Sequence, residues 1–321
     1  MVRTIAFYNV ENLFDTIDQE DTLDEDYTKD GRNHYTSNDY KMKISGLSEV
    51  IAKIGSKRIP NGPDLIGLSE IENAQVLFDL VDQPALDSLS LGIIHKNSPD
   101  RRGIDVALLY RQAVFFPLEY DNVEVQLWDK KGNRIYTRDV LWVHGIMDAE
   151  ELHILVNHWP SRRGGSSESS HRRMKAAWVN KKIISRISQS QPEAKILIMG
   201  DFNDDPVDDS IKVGLSSKSK GQLNPGDFFN PMEKMYNMGW NTMVYRDQVH
   251  LFDQILLSRP LLKTTDNSGF KFMKAGIYNP EILIAQEGKY KGYPLRSFQN
   301  GKYSKGYSDH YPVYVQISKS R

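Results

Sequence analysis

The chain has 321 residues, of which 39% are hydrophobic, and a formal net charge of −1. This composition is typical of a globular protein with an ample core, and the length allows one large domain or two smaller ones. A nearly neutral charge argues against a protein that coats nucleic acid through a broad basic surface, although it permits a local grip on one phosphate. The absence of cysteine excludes disulfides, thiolate catalysis and cysteine-based zinc sites.

Targeting and membrane signals are not visible in the sequence. No apolar run approaches the roughly 20 residues of a membrane span, and strand-like residues begin at Thr4, which leaves no room for a signal peptide. We therefore expect a monomer without a membrane span. The default location is the cytoplasm, or outside it if a leader has been removed.

Near-continuous apolar runs, typical of strands that are covered on both faces, recur along the chain. They occupy residues 4–10, 64–69, 104–110, 140–147, 152–157, 195–199, 252–257 and 311–317. Between them, residues 40–54 and 174–187 show the spacing of amphipathic helices. The sequence predicts an α/β fold whose sheets are shielded by helices, in a single domain of residues 1–321. Segments 206–250 and 259–306 have weak periodicity, and we expect long surface loops there.

Residues 15–30 form an acidic segment in which Lys29 is the one basic residue. The part that leads to Gly31 resembles the start of a calcium-binding EF-hand loop. Ser37, however, occupies the twelfth position, where such a loop carries a bidentate glutamate. The charge run therefore predicts a solvated loop rather than a calcium site.

The most informative stretch is the apolar run 195–199 and the residues that follow it. The run stops at Gly200, and Asp201 and Asn203 come next, two positions apart, so that in extended chain they project to the same side. A carboxylate beside a carboxamide can serve as a base or metal ligand and as a neutral hydrogen-bond donor. An Asx-rich turn after a strand would give the same pattern.

Polar residues also stand at the ends or starts of five other predicted strands. Since neighbouring antiparallel strands place the start of one beside the end of the next, all of them can meet at one rim of a sheet. Each residue alone is explained by a solvated turn, but a set with complementary chemistry is harder to explain in that way. The set comprises Asn9, Glu11, Glu70, Asn157, His158, Asp253, Asp309 and His310.

Hydrolysis of a phosphoester assisted by a hard metal ion is the chemistry that this set suggests. Glu11, Glu70 and Asp309 supply carboxylate oxygens, which Mg²⁺ and Mn²⁺ prefer, and no cluster of cysteine and histidine suits zinc. Such a metal neutralises a non-bridging phosphate oxygen and helps the leaving group depart. The sequence therefore predicts Mg²⁺, or Mn²⁺, as the cofactor.

The other members of the set have the chemistry of acid–base catalysis. Asp201 could take a proton from the attacking water, and Asn203 could orient that water or the phosphate. His158 and His310 could stabilise the charge that develops on the phosphoryl oxygens. Asp253 would hold the imidazole of His310 within hydrogen-bond distance, as an orienting carboxylate does.

Residues that could hold the substrate are identified less sharply. Segments 161–165 and 171–175 place several cations just after the fifth strand, and arginine side chains suit phosphate oxygens. A solvated helix start explains the same charges equally well. Arg101 and Arg102 precede the third strand, and Arg102 is expected near the rim. The candidate substrate-binding residues are Asn9, Arg102, Asn157 and Arg162.

The ordered motifs of this chain resemble the endonuclease/exonuclease/phosphatase superfamily over residues 5–317. The motifs are Asn9-Val10-Glu11, Ser69-Glu70, residues 103–110, Asn157-His158, Gly200-Asp201-Phe202-Asn203, Phe252-Asp253-Gln254-Ile255 and Ser308-Asp309-His310. The resemblance implies a four-layer α/β sandwich in which two mixed β-sheets pack face to face. Residues 7–15 and 156–162 look most like bacterial nuclease-like members.

The resemblance also implies roles for individual residues. His158 matches a histidine of the nuclease and sphingomyelinase branches, which favours those branches over the apurinic endonucleases. By the same resemblance, Glu70 matches the family's metal-binding glutamate, and Glu11 matches the acidic residue two positions after the first-strand asparagine. Asp201 and Asn203 match the base and its partner. The closing acid–histidine pair is matched by Asp309 and His310, and the aspartate that supports this histidine by Asp253.

These observations predict an enzyme, a divalent-metal-dependent phosphodiesterase that acts on nucleic acid. No recognition helix or base-stacking motif is visible, so sequence-nonspecific cleavage is expected. A phosphatase, or a phosphodiesterase of inositol phosphates or phospholipid headgroups, would use the same fold, although no basic interfacial helix supports the lipid version. The third alternative, a non-catalytic binding module, predicts losses among the site residues, and none is missing.

Overall fold

The computed structural model of this chain describes residues 1–20, 22–55, 62–162, 165–262 and 269–320. Three parts of the sequence-based predictions lie outside these ranges. They are residue 21 of the acidic segment, Arg163 and Gly164 of the basic segment, and residues 263–268 of the segment 259–306.

Strands form at all eight of the apolar runs, and edge strands join them. The long strands are β1 (Val2–Leu13), β2 (Leu65–Ile71), β3 (Leu91–His95), β4 (Asp105–Arg111), β5 (Phe115–Val123), β6 (Val140–Met147), β7 (Glu150–His158), β8 (Ile196–Asp201), β9 (Asp253–Ser258), β10 (Lys271–Ile277) and β11 (Val313–Ser318). Shorter strands are Leu127–Trp128, Arg134–Ile135, Ser217–Lys218, Phe228–Phe229, Met243–Tyr245, Gln248–His250, Phe298–Gln299 and Lys302–Tyr303. The α-helices are α1 (Ser37–Ile51), α2 (Ala74–Val81), α3 (Ser166–Ser190) and α4 (Met232–Asn237).

The long strands make two mixed sheets. The first sheet has the order β10-β11-β1-β2-β4-β3, in which β1 is parallel to β2 and antiparallel to β11. The second sheet has the order β9-β8-β7-β6-β5, extended at β9 by the two short strands Phe228–Phe229 and Ser217–Lys218. There β8 is parallel to β7 and antiparallel to β9. This pairing brings the ends of β1, β2, β7 and β8 and the starts of β9 and β11 to one edge, here called the rim.

Four layers follow from the way in which the strands are covered. The inner faces of the two sheets share one core, in which Phe7 of the first sheet and Met199 of the second are fully buried. Helices α1 and α2 cover the outer face of the first sheet, where Leu47 is buried. Helix α3 covers the outer face of the second sheet through residues such as Ala177. Burial on both faces explains the near-continuous apolar runs, and the predicted α/β/β/α sandwich is confirmed.

The prediction of long surface loops is wrong for part of segments 206–250 and 259–306. Residues Lys271–Ile277 form the edge strand β10, which pairs with β11. As an edge strand it is only partly buried and carries lysines, so its sequence does not differ from that of an exposed loop. Segment 206–250 contains α4 and a hairpin of residues 243–250, whose strands are too short to show periodicity. None of the described helices combines the length and apolarity needed to cross a membrane.

Candidate active site

A double bulge at the ends of β1 and β2 presents Glu70 at the rim. Pairing between these strands passes from Asn9–Ser69 directly to Leu13–Ile71, which leaves the residues between them outside the ladder. Glu70 has a backbone φ of 65°, and Glu11 has a φ of 48°. Left-handed backbone is costly for residues other than glycine and is often retained at functional sites.

Asp201 ends β8, and hydrogen bonds hold both of its carboxylate oxygens. The Asn203 backbone N–H donates to Oδ1 at 2.9 Å, and the Asn9 side-chain amide donates to Oδ2 at 3.0 Å. The second bond joins the two sheets, because Asn9 belongs to the first and Asp201 to the second. Gly200 permits this arrangement, since a Cβ there would lie 2.4 Å from the backbone oxygen of Asn157.

His310 and Asp253 form a buried pair beside Asp201. His310 Nδ1 donates to Asp253 Oδ2 at 2.7 Å, which is the hydrogen bond expected from the sequence. His310 Nε2 lies 3.9 Å from Asp201 Oδ2. The Ser308 hydroxyl fixes the approach of the chain, because it accepts from the His310 N–H at 3.0 Å and donates to the Asn9 carbonyl at 2.7 Å.

His158 completes the group from the end of β7. Its Nε2 lies 3.6 Å from Asp201 Oδ2 and 3.8 Å from Glu70 Oε1. The structure therefore brings Asn9, Glu70, His158, Asp201 and His310 to one place on the rim.

Burial and neighbouring charges set different protonation states within this group. Burial raises the pKa of Asp201 to about 6, with the carboxylate of Asp253 adding to the effect and His310 opposing it. Burial lowers the pKa of His158 well below its ordinary value, and the charge of Arg138 lowers it further. Burial also opposes charge on His310, but Asp253 and Asp201 outweigh it and raise the pKa of His310 well above its ordinary value. At neutral pH a carboxylate thus lies between a neutral and a cationic imidazole.

Two sets of side chains could hold a metal ion. Among the described residues, Asp201, Asp253 and His310 bring one ligand atom each within 4.8 Å of one another. The imidazole N–H of this group is already donated to Asp253, which favours proton sharing over ligation. Glu70 and Asp309 offer harder donors at the mouth of the site, where Asp309 Oδ1 lies 3.9 Å from His310 Nε2. Carboxylate oxygens of this kind fit Mg²⁺ or Mn²⁺.

Glu11, also predicted as a metal ligand, is held by the protein itself. Its Oε1 accepts from the Arg296 guanidinium at 3.0 Å, and its Oε2 accepts from the Ser297 backbone N–H at 2.5 Å. Burial raises the pKa of Glu11 to about 7, and the charge of Asp309 adds to this effect. Because both oxygens are engaged, Glu11 fits a metal less well than Glu70 does.

Arg296 and Lys43 are site residues that the sequence analysis missed. Arg296 links two of the predicted ligands, since it also donates to Asp309 Oδ2 at 3.2 Å. Lys43 donates to the backbone oxygen of Glu11 and, at 2.7 Å, to the Ser297 hydroxyl. Lys43 carries a signal in the sequence, as it is a buried cation on the apolar face of α1. Arg296 carries none, because its segment has no periodicity.

Two predicted substrate-binding residues are engaged inside the protein. The Asn157 side chain is 0% exposed, and its Oδ1 accepts from Trp159 Nε1 at 3.0 Å and from Asn180 Nδ2 at 2.7 Å. The Arg162 guanidinium donates to the Asn203 backbone oxygen at 2.8 Å and lies 4.6 Å from the Phe252 ring centroid. Arg162 thus supports the loop that follows β8, whereas Asn157 links β7 to α3.

Arg102 is placed differently. Its side chain is 39% exposed and lies 3.7 Å from Asp100, and its charge contributes to the lowered pKa of His158. The charge of Arg102 therefore acts on the rim, and its role in substrate binding stays a prediction. Glu72, which follows Glu70, is buried, and it accepts from the Asp15 backbone N–H at 2.6 Å, which ties the acidic segment to the sheet.

Comparison with known proteins identifies the family of this chain. A family model described as the endonuclease/exonuclease/phosphatase family matches residues 4–319. The chain belongs to this family. Solved structures with a similar fold align with nearly the whole chain at low sequence identity. A search of the curated proteins finds no match.

Three of these structures illustrate the range of similar proteins. D. rerio TDP2, complexed with a single-strand DNA product, is 17% identical over 99% of both chains, with a TM-score of 0.57. An endonuclease/exonuclease/phosphatase from Bacteroides vulgatus is 14% identical over 100% of both chains, with a TM-score of 0.58. The human Nocturnin catalytic domain with a bound sulfate anion is 16% identical over 99% of this chain and 95% of its own, with a TM-score of 0.57. At such identities the likeness shows the fold.

Proposed function

We propose that this protein is a divalent-metal-dependent phosphodiesterase that hydrolyses nucleic-acid backbones by water attack, without sequence specificity. The observation that carries the proposal is the buried Asp201 carboxylate, which lies between Asn9, His158 and His310 beside Glu70. The family includes endonucleases, exonucleases and phosphatases, all of which hydrolyse phosphoester bonds. The single-strand DNA product in D. rerio TDP2 supports a nucleic acid as the substrate.

Asp201 has the properties of a general base. A carboxylate with a pKa of about 6 is ionised at neutral pH, and it is more basic than an ordinary aspartate. Asn9 holds Oδ2 in place, and the backbone N–H of Asn203 holds Oδ1. In the proposal Asp201 takes the proton of the attacking water, and the Asn203 side chain orients that water.

The two histidines act on the phosphoryl oxygens. His310, cationic and held by Asp253, donates from Nε2, and neutral His158 donates from its own Nε2. Preorganised donors of this kind stabilise the charge that develops in the transition state. Arg102 contacts a neighbouring phosphate, Arg162 holds the loop that carries Asn203, and Asn157 links β7 to α3.

Glu70 and Asp309 would hold the Mg²⁺ or Mn²⁺ ion, with Glu11 placed behind them. The bound ion would supply neutralisation of charge on a phosphate oxygen. Glu11 orients Arg296 toward Asp309 by the hydrogen bonds described above.

Removal of metal is expected to abolish activity. The assay uses plasmid DNA, RNA, inositol phosphates and sphingomyelin, each with Mg²⁺, with EDTA, and with EDTA followed by excess Mg²⁺ or Mn²⁺. We expect cleavage of the nucleic acids, loss of it in EDTA and recovery with either ion. Full activity in EDTA would refute the metal role, and turnover of inositol phosphate or sphingomyelin alone would replace the proposed substrate.

Activity is expected to fall on the acidic side of pH 6. Because burial raises the pKa of Asp201 to about 6, the base becomes protonated as the pH falls through that value. Below it, kcat/KM should decrease about tenfold per pH unit. The profile is measured at saturating Mg²⁺ with far-ultraviolet circular dichroism at each pH as the folding control. A rate that stays constant down to pH 4.5 would remove Asp201 from the role of base.

A further inference from the structure

A pocket of about 340 Å³ opens beside the active site, and most of its lining has no part in the mechanism above. We call it the tyrosine pocket. Its lining includes Tyr245, Arg246, Lys289, Tyr290, Tyr293 and Arg296, and Asp309 lies at its inner end.

The wall of the tyrosine pocket contacts the segment that carries His310. One side is the hairpin of residues 243–250, whose Met243 bridges to His310. At the base of the hairpin, the Tyr311 N–H donates to the Thr242 carbonyl at 2.8 Å. A group that occupies the pocket would therefore lie directly beside a phosphate bound at His310.

The lining combines exposed rings with cations. The Arg246 guanidinium lies 5.2 Å from the Tyr245 ring centroid, and the Lys289 ammonium lies 5.5 Å from that of Tyr290. The Tyr245 side chain is 57% exposed and that of Tyr290 is 37% exposed, so their rings are open to a ligand. Rings of this kind bind the flat face of a base by stacking, and nearby cations favour a ligand that also carries phosphate.

The tip of the hairpin has a strained backbone and is tied to residue Tyr293 of the pocket lining. Arg246 and Asp247 make a two-residue turn with φ values of 50° and 65°. Such a turn ordinarily uses Asn-Gly, because both positions need left-handed backbone. Here Asp247 instead accepts a hydrogen bond from the Tyr293 hydroxyl on the opposite wall. The strained residues thus join the two walls, as is found at ligand-binding sites.

We propose that the tyrosine pocket binds the base of the nucleotide next to the scissile phosphate. The proposal rests on the proposed function, since it names the unit of the nucleic acid that the same site holds. Flat aromatic faces favour a base over an inositol ring, which has no π-face, and the flanking cations favour the charged backbone over a lipid chain.

The test compares two chains of equal charge. Labelled hexathymidylate and a hexamer of the same backbone without bases are titrated against the Asp201→Asn protein in Mg²⁺, with fluorescence anisotropy as the readout. We expect hexathymidylate to bind at least about tenfold more tightly. In the same background, the exposed double variant Tyr245→Ala/Tyr290→Ala should bind both hexamers with nearly equal affinity. Phe116→Ala removes an exposed ring of β5, at the far edge of the second sheet, and the preference should remain.

Equal binding of the two hexamers before any tyrosine is changed would overturn the pocket assignment, and so would a preference that survives the double variant. Thermal melting confirms that each variant is folded. Cleavage of hexathymidylate by the unchanged protein is measured separately. If the protein cleaves hexathymidylate but shows no preference for bases, the pocket assignment is refuted and the proposed function stands. If it prefers bases but does not cleave, the proposed function is refuted and the pocket assignment stands.

Discussion

Asp201→Asn is expected to lower kcat by ~10²-fold or more while the protein remains folded. Asparagine keeps the shape of the side chain and one oxygen that can accept from Asn9, but it cannot take a proton from water. The substitution loses one of the two hydrogen bonds that the carboxylate accepts, but it also removes a charge that is buried beside Asp253, so the two effects on stability oppose each other and the protein should remain folded. The measurement is steady-state cleavage of plasmid DNA in saturating Mg²⁺, with thermal denaturation of the same preparation.

A matched control comes from Asp87, an exposed aspartate in the turn before β3, at the end of the first sheet away from the rim. Asp87→Asn makes the same chemical change, and this variant should cleave plasmid DNA with an unchanged kcat. Wild-type turnover by the Asp201 variant would exclude this carboxylate as the base.

His310→Ala should affect both rate and stability. Loss of the donor that faces the phosphoryl group is expected to lower kcat by ~10²–10³-fold. The substitution also leaves Asp253, whose side chain is 0% exposed, as a buried carboxylate without its imidazole partner. Loss of one member of a buried pair costs about 3–5 kcal/mol in the free energy of unfolding. Urea denaturation and cleavage kinetics measure the two effects.

The double variant Asp253→Ala/His310→Ala separates these effects. In this double variant part of the lost free energy of unfolding should return, because Asp253 no longer leaves a buried charge without its partner. The rate should stay as low as in His310→Ala. Recovery of both quantities together would mean that the pair has only a structural role.

The strands of this fold could be predicted where burial on both faces leaves a continuous apolar run. β7 and β8 are examples, since nearly every residue in their central parts is buried. β3, β5 and β10 lie at sheet edges, where only part of each strand is covered, and their sequences lack such runs. Edge strands depend on the neighbour that pairs with them, and the sequence of one segment does not contain that neighbour.

The rim could be predicted because polar residues stand where apolar runs stop. The direction in which each side chain faces could not be predicted from the sequence. Asn157 and His158 are adjacent on β7, and consecutive residues of a strand face opposite sides. His158 therefore reaches Asp201, while Asn157 bonds to Trp159 and Asn180 within the layers. Arg296 escaped prediction for another reason, since a contact between residues 296 and 11 is made only when the chain returns to the first strand.

The hydrogen bond from Asn9 to Asp201 makes catalytic rate a measure of how the two sheets are aligned. In the proposed mechanism each sheet carries part of the reacting groups, and the offset between the sheets is set by their shared apolar core together with hydrogen bonds such as that from Asn9 to Asp201. A displacement of about 1 Å can lower the rate ~10²-fold. A shift of this size is too small to alter the secondary structure. Substitutions deep in that interface, far from any phosphate, therefore belong among the determinants of activity.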